Sequence, residues 1–113
     1  MLNKVMFIGN TGAAPEIRQV NNDKVANFNI ASTESWKDKN GNKQEKTTWM
    51  PVVAWGGLAT LCEKYVGKGK QLYVEGKLNV RKYTDNNGAE RVVTEIIADE
   101  IKLLGKKDED IPA

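Results

Sequence analysis

The three tryptophans of the chain, Trp36, Trp49 and Trp55, all fall between Ala26 and Trp55, interleaved with Lys37, Lys39, Lys43 and Lys46. Flat aromatic faces stack on bases and ammonium groups neutralise phosphates, so this combination suits a flexible single strand of nucleic acid. A tryptophan taken alone in a small domain more often fills the core. Here other strands already supply Val52, Ala54, Leu72, Val74, Leu78 and Val80 as a core, and three buried indoles would overfill it. The indoles are therefore expected to face outward. A net charge of +2 is mild, but Lys64, Lys68, Lys70, Lys77, Arg81 and Lys82 crowd one segment that holds Glu75 as its sole acid. That distribution says more about partners than the total does.

Other chemistries are poorly provided for. Cys62 is the single cysteine and histidine is absent, which excludes an intramolecular disulfide, a cysteine- or histidine-built metal site and a histidine-activated thiol. Cys62 shares a helical face with Leu58 and Leu61 and is expected in the core. Glu95 and Asp99 lie on one strand face near Glu100 and could hold a divalent cation. No base, nucleophile or phosphate-cradling loop accompanies them, so no enzyme, metal or cofactor is expected. The sequence has no signal-peptide pattern and no run near the roughly 18 apolar residues of a membrane span, which points to a soluble protein of a reducing cytoplasm.

The elements that must position these residues follow from alternation. Trp49, Pro51, Val53 and Trp55 share one strand face while Met50, Val52 and Ala54 share the other. Asn40-Gly41 predicts a tight primed turn joining this strand to an earlier one in which Ala26, Phe28 and Ile30 alternate with polar neighbours. Strict alternation would place Trp36 on the core side with Phe28, so a bulge or twist near Ser32 to Ser35 is expected to re-aim it. Upstream, Asn3 to Asn10 predicts a first strand ending at Gly9, broken by Thr11-Gly12 and Pro15 and resumed by Ile17 to Val20, before the turn cluster Asn21-Asn22-Asp23. Downstream, Leu58, Leu61, Cys62 and Tyr65 fall at helical spacing and Gly67 stops the run. From Gln71, Leu72, Val74, Gly76, Leu78 and Val80 line one face of a long strand. Gly76 marks a bulge or bend, and Asp85-Asn86-Asn87-Gly88 turns into the strand Glu90 to Leu104. Three strands, a helix and two strands predict an all-β OB-fold with one short helix, a five-stranded Greek-key barrel with long hairpin loops. The domain takes residues 1–104 and leaves a short acidic tail, 105–113.

Asn3-Lys4-Val5, Ile8-Gly9-Asn10, Pro15-Glu16-Ile17-Arg18, Glu34-Ser35-Trp36, Thr48-Trp49, Val74-Glu75-Gly76-Lys77-Leu78 and Arg81-Lys82-Tyr83-Thr84-Asp85 agree in order and spacing with one family. In these segments the chain resembles the bacterial single-stranded DNA-binding proteins. The resemblance implies base stacking on Trp36, Trp49, Trp55 and Tyr83, and phosphate contacts from Arg18, Lys39, Lys68, Arg81 and Lys82, to which Lys43 at the turn is added. Met50, Pro51 and Gly57 stand where relatives are often basic, which implies weaker binding. A homotetramer is also implied, with dimers pairing through Lys4, Val5, Met6, Phe7 and Ile8 and joined through Tyr73 and Glu75. Asp108, Glu109, Asp110, Ile111 and Pro112 resemble the acidic tip with which relatives recruit replication and repair proteins, weakened here because Ala113 stands in place of the final aromatic and the long linker is missing. The function implied is sequence-tolerant binding of single-stranded DNA during replication, repair and recombination, in a cytoplasmic, nucleoid-associated protein. The alternative is a primosome-type OB-fold adaptor acting mainly through protein contacts.

Overall fold

The computed structural model describes residues 1–105. Six strands and one helix follow in the order β1 Val5–Thr11, β2 Glu16–Val20, β3 Asp23–Lys37, β4 Lys43–Trp55, α1 Gly57–Tyr65, β5 Gln71–Thr84 and β6 Glu90–Leu103. The fold is mostly strand with one short helix, as the alternation predicts. Strand order is β1-β5-β6-β4-β3-β2, and β1 also pairs with β3 at Asn10↔Ala31 and Thr11↔Ile30. That extra pairing closes the sheet. Five strands make the ring and β2, the resumed part of the first strand, extends it beside β3.

β1 does not end at Gly9, as the sequence suggests, but runs on to Thr11. A Cβ at Gly9 would collide with the carbonyl oxygen of Ala31, so the missing side chain lets β1 cross from β5 onto β3. At the β5–β6 pairing the register shifts between Glu75 and Gly76, which is the bulge expected at Gly76. The core inside the ring is built from the inward residues of the strands, among them Phe28, Ile30, Val52, Leu72, Val74 and Ile96, and is capped by Ala59 and Cys62 of α1. Burial pushes the Cys62 thiol up to about 11, in keeping with a packing role.

Three details differ from expectation. The bulge near Ser32 to Ser35 is absent: β3 and β4 stay in unbroken register from Val25↔Trp55 to Lys37↔Lys43. Asn40-Gly41 is not a two-residue primed turn. Gly41 alone of the pair has positive φ, its N–H donates to the Asp38 carbonyl at 3.0 Å, and the Asp38 Oδ1 accepts from the N–H groups of Asn40 and Asn42, both at 2.9 Å. The aspartate side chain thus holds a wider turn open. The primed turn lies instead at Asn21-Asn22, whose φ values are 51° and 67°. Finally, Leu78 and Val80 are exposed and do not belong to the core, because they lie on β5 beyond Gly76, the last of its buried positions. No helix among the described residues is long and apolar enough to cross a membrane. The expected tail contacts, Asp108 to Pro112 and Ala113, lie outside the described residues.

Candidate nucleic-acid interface

The aromatics singled out by sequence are all substantially open to solvent: Trp36 is 49% exposed, Trp49 55%, Trp55 42% and Tyr83 46%. Rings of this size normally bury most of their surface in packing, and here about half of each is left uncovered. The cause is local. Odd-numbered residues of β4 face away from the core, which puts Trp49 opposite Ala31 and Trp55 opposite Val25 on the same side of the ribbon. Trp36 pairs with Gln44 on the other side. It escapes burial because the β3–β4 arm has left the ring by that point, and no bulge is needed.

A groove follows the outer face between Trp49 and Trp55. At one end, a cleft of about 450 Å³ is lined by Gly12, Glu16, Asn29 and Trp49. At the other, a cleft of about 480 Å³ is lined by Arg18, Trp55, Asn79, Arg81 and Glu95. Asn27 borders both, so the two form one path across β3. Arg81 carries the path onto the β5–β6 arm, where its guanidinium stands 5.7 Å from the Tyr83 ring centroid, a cation–π distance.

The basic residues are less uniform than the sequence suggests. Lys68 is exposed on the loop between α1 and β5, and Lys39 is exposed at the β3–β4 tip. Lys43 lies 3.7 Å from Glu45, Lys82 3.6 Å from Glu90 and Arg18 4.0 Å from Glu16, all at solvent-exposed positions where such pairs hold loosely. Arg81 differs. Its Nε donates to both oxygens of Glu95 at 3.1 and 3.2 Å, while Asn79 Nδ2 donates to Glu95 Oε2 at 3.1 Å. Glu95 is only 3% exposed. Its carboxylate, a candidate cation ligand on sequence, is instead occupied by Arg81 and Asn79, and among the described residues no three acidic, cysteine or histidine side chains gather for a metal. Its position was recoverable from the second hairpin: a turn at Asp85 to Gly88 pairs Thr84 with Glu90 and hence Asn79 with Glu95, with Arg81 on the diagonal.

On the far side of the ring, β1 pairs with β5 from Val5↔Gly76 to Asn10↔Gln71, and its other edge meets β3 only at Asn10 and Thr11. Val5 and Phe7 pack against the core, whereas Met6 and Ile8 are exposed. Beside them the Tyr73 hydroxyl donates to Glu75 Oε1 at 2.6 Å and Lys4 Nζ lies 3.1 Å from Glu75 Oε2.

Residues 2–104 match the model of the single-strand binding protein family. The chain is 46% identical over 109 residues to single-stranded DNA-binding protein 1 of Chlorobaculum tepidum, covering 95% of this chain and 67% of that protein. It is 47% identical over 110 residues to single-stranded DNA-binding protein 1 of Xylella fastidiosa, covering 96% and 81%. Among solved structures, the Plasmodium falciparum SSB complex with ssDNA superposes with a TM-score of 0.83 at 36% identity, covering 93% of this chain and 96% of that one.

Proposed function

The chain belongs to the single-strand binding protein family, and from that premise we propose that it binds single-stranded DNA with little sequence preference, coating strands exposed in replication, repair and recombination, without catalysis. The observation that carries this reading is the exposure of Trp49 and Trp55 along one groove that Arg18 and Arg81 border, with the exposed Tyr83 ring beside Arg81. Every base has a π-face, so stacking discriminates weakly among sequences. At about 1–3 kcal/mol per base, four platforms including Trp36 offer a gross ~4–12 kcal/mol per subunit before the strand is ordered. Arg18, Lys39, Lys43, Lys68, Arg81 and Lys82 meet phosphates and make the binding salt-dependent.

Residues 1–104 form the DNA-binding domain in this reading. The edge of β1 that, among the described residues, stays unpaired before Asn10, with Met6 and Ile8 exposed beside the Lys4–Glu75–Tyr73 cluster, supports assembly into a homotetramer through Lys4 to Ile8, Tyr73 and Glu75. The acidic run Asp108 to Pro112 recruits replication and repair proteins, a proposal that rests on its sequence. The site of action is the cytoplasm, at the nucleoid. Titrating intrinsic tryptophan fluorescence with oligothymidine and with duplex, beside a native mass measurement, tests the reading. Quenching by oligothymidine at concentrations where duplex has no effect supports it, and equal responses to both overturn it.

A further inference from the structure

Among the described residues, the buried polar or charged side chains are Glu95, already placed in the groove, and Thr11, only 4% exposed at the end of β1. Each polar group of Thr11, the hydroxyl, the N–H and the carbonyl, is hydrogen-bonded to one loop. Its hydroxyl donates to the Gly67 carbonyl at 2.5 Å and accepts from the Lys70 N–H at 3.0 Å. Its backbone N–H donates to the Lys70 carbonyl and its own carbonyl accepts from the Gly69 N–H, both at 2.9 Å. Asn10 Nδ2 adds a bond to the Gly69 carbonyl at 3.3 Å. The loop so held is Gly67-Lys68-Gly69-Lys70, in which two glycines flank the exposed Lys68 and Gly69 has a φ of +76°. Without a clamp such a segment would be among the most mobile of the fold. The next residue, Gly12, is the one against which the Trp49 indole rests. Thr11-Gly12 therefore joins a basic loop to an aromatic platform at the end of β1.

We propose that Thr11 is a positioning residue for DNA binding: it pre-orders Gly67 to Lys70 so that Lys68 meets the phosphate beside the base stacked on Trp49. This rests on the reading of Lys68 and Trp49 as DNA contacts. A lysine already in place gives up less freedom on binding than one on a loose loop. The hydroxyl matters because it both donates and accepts, which valine of the same shape does neither of.

The test is a fluorescence titration with oligothymidine across a salt series. Thr11→Val should make the fall of log K with log salt shallower, by up to the roughly 0.7 expected for one lost phosphate contact on a single strand. Thr11→Ser should restore the parent's slope, and Thr11→Val added to Lys68→Ala should change the slope no further than Lys68→Ala does alone. If Lys68→Ala flattens the slope while Thr11→Val keeps the parent's, Lys68 reaches phosphate without Thr11 and the inference falls while the DNA-binding reading stands. If Lys68→Ala itself leaves the slope unchanged, the assignment of Lys68 falls and takes the inference with it. A measurement on the parent avoids any folding defect of Thr11→Val: amide relaxation of residues 67–70 should show the same order with and without oligothymidine. A loop that is mobile when free and orders only on DNA overturns the inference.

Discussion

The indole of Trp49 rests against Gly12 so closely that a Cβ on Gly12 would stand 2.9 Å from both Cη2 and Cζ3 of the ring. The Gly12 backbone is fixed there by its N–H, which donates to the Asn29 carbonyl at 3.2 Å. A glycine thus seats an aromatic that remains more than half exposed. Gly12→Ala should turn the ring instead of unfolding the domain, because the obstructing atoms are the far end of a side chain that can rotate. The expected result is parent-like melting, altered tryptophan emission and weaker oligothymidine binding. Trp49→Ala should lose the whole stack, about 1–3 kcal/mol. If Gly12→Ala binds like the parent while Trp49→Ala does not, the seat of the ring is unimportant.

The sequence carried the elements well because alternation and turn chemistry are local. Ala26, Phe28 and Ile30, the helical spacing of Leu58, Leu61 and Cys62, and Gly76 as a bulge are all visible in residue types. What alternation cannot report is where a strand leaves the core. Trp36 keeps core-side parity and Leu78 and Val80 keep the apolar pattern, yet all three are exposed on arms that outrun the ring. The Glu95–Arg81 pair was hidden for the opposite reason. A carboxylate on the outer face of a strand reads as solvated until its cross-strand neighbours are known. Thr11 lies further out of reach, since its partners are 56 to 59 residues away in sequence.

Glu95 offsets part of the charge of Arg81, so Arg81 should add less to the salt dependence than an unpaired arginine would. Glu95→Gln keeps an oxygen to accept from Arg81 Nε and unmasks the cation. The salt dependence of oligothymidine binding should steepen by up to about 0.7 in log–log slope, with tighter binding at low salt. Arg81→Ala leaves a buried carboxylate with Asn79 as its remaining partner and should cost about 1–3 kcal/mol of stability, read from the urea midpoint. Lys82→Ala serves as the contrast: it should leave the midpoint alone, since Lys82 and Glu90 are both exposed, and flatten the slope. An unchanged slope in Glu95→Gln would remove Arg81 from the phosphate path.

The Tyr73–Glu75 hydrogen bond, supported by Lys4, predicts a pH window. The Tyr73 hydroxyl holds the Glu75 carboxyl below its ordinary 4.5, with Lys4 contributing next. The same bond pushes the Tyr73 phenol from 10.0 up to about 12. A depressed carboxylate contributes stability above its unfolded value and loses it as pH falls through the folded one. A raised phenol contributes below its unfolded value and loses it as pH rises through the folded one. Melting the parent beside Tyr73→Phe should therefore show a gap that is full between about pH 4.5 and 10 and narrows on either side. A gap that ignores pH would mean the bond is not what separates the two proteins.

The glycines should divide by what a methyl group would strike. At Gly76 a Cβ collides with the carbonyl oxygen of Ile97 and comes within 3.0 Å of Ala98 Cα. At Gly9 it collides with the carbonyl oxygen of Ala31. Both obstacles are backbone in a paired strand, so neither can swing aside. Gly41 has open space around it but a φ of +82°, and Gly67 has open space without that conformation. Alanine should therefore cost about 2–3 kcal/mol or more at positions 76 and 9, about 1–2 at 41 and close to nothing at 67. Urea midpoints of the four variants give the order directly. Gly76→Ala should also weaken DNA binding in protein that remains folded, because the bulge at Gly76 sets the course of the β5–β6 arm that carries Arg81 and Tyr83 away from the ring. A Gly76→Ala protein as stable as Gly67→Ala would show that the strands can separate at the bulge without cost, and the arm's direction would then need another cause.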